Sequence, residues 1–292
     1  MSINAIRENV RDIPFLLLGV VFSALASVWI FKNCVEKEIV VSTKYEAVNE
    51  LLPLHASGVV GYWSIALICL GLDLLLPKDI IKLVKVQGQK NMFTTREWFE
   101  AVGLSMLNLF VFAPIFVIPL WTYCWKERYE EKWGYNPTMA DFDLKTELFN
   151  MGIHAIVVDT VFYFTHRLIH YPYLYKRIHK IHHRFKAPVS VASMYAHPIE
   201  FVFGNLAGVV LGPAITNCHP ITTAFWICLS LFTTGGSHSG YKFLGAKSHD
   251  HHHQYFDCNF GVGGLWDSFF STDYESWKAA REERRQKKKK KL

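Results

Sequence analysis

The feature that most constrains this chain is a series of long apolar stretches almost free of charge. Residues 14–31 and 102–125 carry none, residues 56–76 carry only Asp73, and residues 199–226 carry only Glu200, at their start. About 20 apolar residues cross the hydrocarbon core of a bilayer. Inside it every backbone N–H and C=O must be paired within the segment, which favours helices. The expected fold is therefore an all-α integral membrane protein with about four or more transmembrane helices. The apolar run from residue 201 to 235 is long enough for two short spans, about 199–236, with a turn at residues 216–220. Pro114 and Pro119 offer breaks that would fold residues 102–125 into a re-entrant hairpin. The first stretch reads as an uncleaved anchor, because Glu36, Lys37 and Glu38 follow it without a small-x-small cleavage site.

Charge speaks to membrane side rather than to a partner. The formal net charge is +6, and residues 281–291, with eight basic and two acidic side chains, account for all of it. A nucleic-acid binder would spread lysine and arginine over a folded face, so that class is excluded. Residues 77–98 are basic-rich and residues 166–186 hold Arg167, Lys176, Arg177, Lys180, Arg184 and Lys186 with no acid. The excess of basic residues in short loops places these segments and the C-terminus in the cytosol. Lys289 and Lys290, four and three residues from the end, look like a dilysine signal that returns membrane proteins to the endoplasmic reticulum. The chain divides into N-terminal spans (1–125), a catalytic region (126–273) and a basic tail (274–292). The six cysteines form no CxxC pair, and several lie in apolar runs where a buried free thiol is expected.

Histidine carries the chemistry. Thirteen of the 14 histidines lie between His154 and His253. They form three boxes: His166 and His170 at i, i+4, then His179, His182 and His183, then His249, His252 and His253, both at i, i+3, i+4. On a helix these offsets share one face, where imidazoles converge on a metal. Eight ligands exceed the need of one ion and suit two, each with a position left for oxygen or water. His238, eleven residues before the third box, is a candidate ninth ligand, and His197 a further one. His251 lies off the ligand face of its box, while His55, His154 and His219 read as structural. Asp159 precedes His166 by seven residues on nearly the same helical face, placed to hold a ligating imidazole by its Nδ1–H or to pair with Arg167. Asp250 and Asp267 are alternatives for the first role.

Imidazole nitrogen suits zinc, copper, iron and nickel alike. Two adjacent redox metals beside a bilayer fit oxygen activation, and a two-zinc site would support lipid hydrolysis. The boxes HRLIH, HKIHH and HDHHH resemble those of the membrane fatty acid hydroxylase and sterol desaturase superfamily. YAHPIE (195–200), HSGY (238–241), CHPITT (218–223) and WDSFFSTD (266–273) are most similar to its C4-methylsterol oxidase and cholesterol 25-hydroxylase-like branch. The resemblance covers about residues 150–273. It implies a cytosolic helical cap with two non-haem irons held by His166, His170, His179, His182, His183, His249, His252 and His253, and by His238. It also implies O2 as co-substrate, with NAD(P)H electrons arriving through a reductase and cytochrome b5. The expected function is hydroxylation of a sterol at a C4-methyl group or side chain. The alternatives are a fatty-acid or sphingoid lipid hydroxylase, a zinc-dependent membrane hydrolase, or a non-catalytic metal- or sterol-binding membrane protein.

Overall fold

The structure, a computed structural model, describes residues 13–30, 46–91, 93–134 and 137–290. Among the described residues the chain is helical and holds no strand, only an isolated bridge between Lys85 and Tyr241. The apolar stretches become helices α1 (Ile13–Ile30), α2 (Glu46–Leu75), α4 (Thr95–Trp133), α5 (Leu144–Ile169), α6 (Pro198–Thr216) and α7 (Pro220–Ser237). Short α3 (Lys78–Val84) follows α2, and α8 (Ala246–Tyr255), α9 (Leu265–Phe270) and α10 (Tyr274–Lys289) complete the chain. Helices α4, α5, α6 and residues Glu50–Leu75 of α2 are long and apolar enough to cross a membrane. Exposed apolar side chains such as Leu25, Leu67, Phe110, Ile115, Leu148 and Ile156 cover outward faces, as lipid-facing helices require.

Residues 102–125 do not form a re-entrant hairpin: α4 is one helical run of 39 residues. Pro114 and Pro119 are accommodated between π-turns at Asn108–Phe112 and Trp121–Trp125. Such turns widen the helix locally and absorb the missing N–H bonds, so the run continues past both prolines.

Helix α7 packs on α2 and α1, and α6 packs on α5. Small residues allow the close approach: a side chain at Gly61 would run into the Cys228 backbone, and one at Gly212 would lie 2.9 Å from His154. A left-handed Asn217 (φ 49°) turns the chain from α6 into α7. Polar groups on the bundle then fix the buried segment that follows the second histidine box. Tyr62 donates to the Val191 carbonyl at 2.7 Å, and the Asn108 amide donates to the carbonyls of Met194 (2.8 Å) and Ala196 (3.0 Å).

The lone charge of the second stretch finds its partner here. Asp73 meets Lys85 at 2.6 Å and accepts from the Tyr241 hydroxyl at 2.7 Å, while the Val86 N–H reaches the Gly240 carbonyl at 2.8 Å. The end of α2 is thereby fastened to the segment that carries His238. Cys69, Cys218, Cys228 and Cys258 are buried free thiols and Cys124 is exposed. Cys34, residues 36–38 and the last two residues, Lys291 and Leu292, lie outside the described residues; α10 is exposed from Lys278 onwards.

Candidate metal centre

Each histidine box has its own local geometry. His166 lies in the last turn of α5 and His170 caps that helix. The third box lies on α8, which starts and stops at left-handed Gly245 and Phe256. The second box is not α-helical: His179 ends a π-turn (Tyr175–His179), and His182 and His183 open a 3-10 turn (His182–Arg184). His238 caps the C-terminus of α7.

The side chains gather into two groups. His166, His170, His179, His183 and His252 form one, and His182, His238, His249 and His253 the other, with the ligand-capable atoms of each group within 4.8 Å of one another. Within every box the i and i+4 histidines share a group. The i+3 residues, His182 and His252, cross to the other group. Helical geometry accounts for this in the third box: positions i+3 and i+4 are about 100° apart around the axis, so they address neighbouring points.

Five of the nine outer nitrogens meet backbone carbonyls. His166 Nδ1 lies 2.7 Å from the Phe260 carbonyl, His252 Nδ1 2.7 Å from that of Cys258, and His253 Nδ1 2.9 Å from that of Phe185. His182 and His238 likewise reach the carbonyls of Tyr195 (3.1 Å) and Thr234 (2.8 Å). A carbonyl only accepts, so in these rings Nδ1 carries the proton and Nε2 presents a bare lone pair. Those bare nitrogens face one another, at 3.3 Å for His182 and His238, while His252 Nε2 lies 3.1 Å from that of His183. The Nε2 atoms of His166 and His179 are 3.0 Å apart. Burial holds His182 down to about 4, and puts His179, His252 and His253 well below the usual histidine value, so the rings are neutral near pH 7. Converging lone pairs repel unless a cation lies between them. Nitrogens bound at right angles to one ion at about 2.1 Å stand about 3.0 Å apart, so the donor set fits two metal ions.

The carboxylate Asp159 does not hold an imidazole, and it does not pair with Arg167, whose guanidinium donates to the Tyr163 hydroxyl. Its oxygens accept the backbone N–H groups of Val262, Gly263 and Leu265 at 2.9, 2.7 and 3.1 Å. Asp267 accepts those of Phe260 and Gly261 at 2.8 and 2.7 Å, and Asp250 accepts from Gln87 at 2.7 Å. Asp159 and Asp267 thus shape the loop whose Phe260 carbonyl holds His166. Glycine lets this backbone come close to the acid: a side chain at Gly261 would lie 2.7 Å from Asp159 Oδ1. Glu200 takes the role expected of Asp159: its Oε1 lies 2.8 Å from His179 Nδ1. One signal for it was present, since it is the only charge at the head of an apolar run.

His197 belongs to neither group; its Nδ1 accepts the Ile199 N–H at 3.2 Å and caps α6. His251 stacks on Tyr274 with ring centroids 4.0 Å apart. His154 meets the Thr216 hydroxyl at 2.9 Å, and His219 caps α7 through the Ile221 N–H.

A cavity of about 850 Å³ leads from the histidines into the bundle. His179, His182, His238 and His249 form one end, and Leu51, Trp125, Pro213 and Trp226 lie towards the other. Thr223 and Ser237 of α7 both line it, and at 1.5 Å per residue it runs about 21 Å along that helix.

Residues 151–272 match the family model described as Fatty acid hydroxylase. The chain is 40% identical over 146 residues to fatty acid hydroxylase domain-containing protein 2 of Homo sapiens, covering 49% of this chain and 44% of that protein. It is 36% identical over 177 residues to a C-4 methylsterol oxidase of Schizosaccharomyces pombe, covering 51% and 59%. It is 37% identical over 134 residues to methylsterol monooxygenase 1 of Rattus norvegicus, covering 41% and 45%. The matched part thus spans less than two thirds of each of these relatives. No solved structure matches the chain.

Proposed function

From the premise that residues 151–272 belong to the fatty acid hydroxylase family, we propose that this chain is a non-haem di-iron monooxygenase. It hydroxylates a sterol or long-chain lipid within the membrane. The observation that carries the reading is the pair of buried histidine groups at the end of an apolar cavity. Iron held there supplies the redox chemistry that inserts one atom of O2 into a C–H bond.

The chain's own residues do the rest. Nine imidazoles would hold the two ions, and the backbone carbonyls behind five of them keep protons on Nδ1 and fix the tilt of those rings. The apolar wall excludes water and selects a lipid by size; 850 Å³ lies in the range of about 300–1,000 Å³ typical of ligand pockets. Relatives named as methylsterol oxidases support a sterol substrate. Catalytic residues 126–273 follow N-terminal spans (1–125) and precede a basic tail (274–292). Exposed basic side chains around the second box, such as Lys176, Lys180 and Lys186, suit an acidic electron donor such as cytochrome b5, fed by an NAD(P)H reductase. The same basic loops and the tail support a cytosolic side for the boxes, and the dilysine pair Lys289 and Lys290 supports the endoplasmic reticulum membrane.

The test is metal analysis of the purified protein together with turnover under 18O2. Iron at both groups and product oxygen from 18O2 are expected. Zinc with anaerobic turnover would instead make the protein a hydrolase. A phenotype untouched by replacing His182 and His183 would make it a non-catalytic binder.

A further inference from the structure

Between Asp257 and Asp273 the only charged residue is Asp267, and it is buried. Helix α9 and the loop before it turn apolar side chains outward instead. Val262, Leu265, Phe269 and Phe270 are all exposed, Phe269 at 73%.

That surface continues the outward face of a spanning helix. The Trp266 indole donates to the Thr160 hydroxyl of α5 at 2.9 Å, and its ring lies 5.2 Å from that of Phe164, which is itself exposed. Helix α5 has 26 residues, about 39 Å at 1.5 Å per residue, against a hydrocarbon core of about 30 Å. Centred in that core, it emerges about three residues from each end. Thr160 and Phe164 therefore lie at hydrocarbon depth, with α9 beside them. Arg167, whose guanidinium lies 5.4 Å from the Phe270 ring, falls at the boundary, where a long basic side chain can reach water.

Non-helical backbone at that depth has to be satisfied by protein, since lipid offers no hydrogen bond. The loop meets this condition. Asp267 accepts the N–H groups of Phe260 and Gly261, and Asp159 those of Val262, Gly263 and Leu265. An acid within an apolar span and another within an otherwise uncharged stretch thus serve one purpose.

Val262 and Gly263 are also part of the cavity wall. The other exposed wall residues, Leu52, Phe110 and Ala155, belong to spanning helices. These two belong to the loop and follow closely on the Phe260 carbonyl that holds His166. We propose that residues 261–270 are sunk into the bilayer leaflet at the histidine end of α5, and that the cavity opens at Val262 to the acyl chains of that leaflet. The partner of this face is membrane hydrocarbon. A lipid then passes from the leaflet to the five-histidine group without crossing water. That passage rests on the monooxygenase reading above; the insertion does not.

The test uses the iron-loaded full chain in phosphatidylcholine nanodiscs, with Cys34 and Cys124 changed to serine. Val262→Cys, Phe269→Cys and, on exposed α10, Lys278→Cys are each labelled with a fluorophore. Doxyl nitroxide on the lipid acyl chain should quench the labels at 262 and 269, and aqueous iodide should not. At 278 the order should reverse. Iodide reaching the label at 269 would overturn the insertion. A label at 262 that the lipid nitroxide cannot reach would overturn the opening. A phosphatidylcholine carrying an acyl-chain diazirine gives the same reading without any variant: mass spectrometry should find Val262 and Phe269 of the unaltered chain modified, and both unmodified would overturn the proposal. Zinc in place of iron, or product oxygen drawn from water, defeats the monooxygenase reading and leaves the quenching pattern as it is.

Discussion

At the scale of single residues, six of the nine imidazoles are held by backbone carbonyls or by one glutamate, and a further set of acids holds the backbone. Asp159 illustrates the second role. Replacing it with alanine leaves three part-buried N–H groups of Val262, Gly263 and Leu265 without their acceptor, at a cost of about 1 kcal/mol. Asp159→Ala should therefore lower the thermal midpoint and loosen iron at the five-histidine group, because the same loop presents the Phe260 carbonyl to His166. Scanning calorimetry with metal analysis checks this; iron retained at full affinity would mean the loop stands without the aspartate. Eight of the nine gathered histidines were legible in the sequence because ligand spacing within a box is a local property, and His238 was legible from its place eleven residues before the third box. His166 and Phe260, or His253 and Phe185, are 94 and 68 residues apart. Their pairing is a consequence of packing that periodicity does not carry, and Asp159 was misassigned for that reason.

At the scale of elements, the apolar stretches translate directly into helices, since a segment in lipid must satisfy its own backbone. What was not legible is how the prolines of α4 would be treated. A proline specifies a lost bond, and whether the chain turns back or takes up π-turns depends on neighbours such as the segment Asn108 binds. The second box departs from an α-helix for a similar reason: its rings are placed by tertiary contacts at Tyr195 and Glu200. The tie between α2 and the His238 segment is open to a direct test. Lys85 and Asp73 are 0% and 5% exposed at the side chain, and removing one member of a buried pair costs about 3–5 kcal/mol. Lys85→Met should destabilise the protein by that order, whereas the double change Lys85→Met with Asp73→Leu should recover much of it. Denaturant titration of the single and double variants distinguishes a true pair from two independent groups.

At the scale of the whole molecule, the buried imidazoles make the fold sensitive to acid. His182 sits at about 4 in the folded protein against an ordinary 6.5. Between those values the unfolded chain binds more protons, so stability is present above about pH 6.5 and falls as pH drops towards 4. The metal-free protein should show a thermal midpoint that declines through this window, and bound metal should deepen the resistance before release. A midpoint flat from pH 7 to 4 would contradict the burial of these rings as neutral groups. The crosswise placement of His182 and His252 has one more consequence. Because the second and third boxes each contribute to both groups, the first ion to arrive orders backbone that the second ion also needs, and the second binds with less left to organise. Loading is then cooperative, with half-filled chains scarce at every iron concentration. Native mass spectrometry during an Fe(II) titration should find chains with no ion and with two, and few with one; a sequential build-up of the one-ion species would mean the boxes are already rigid without metal.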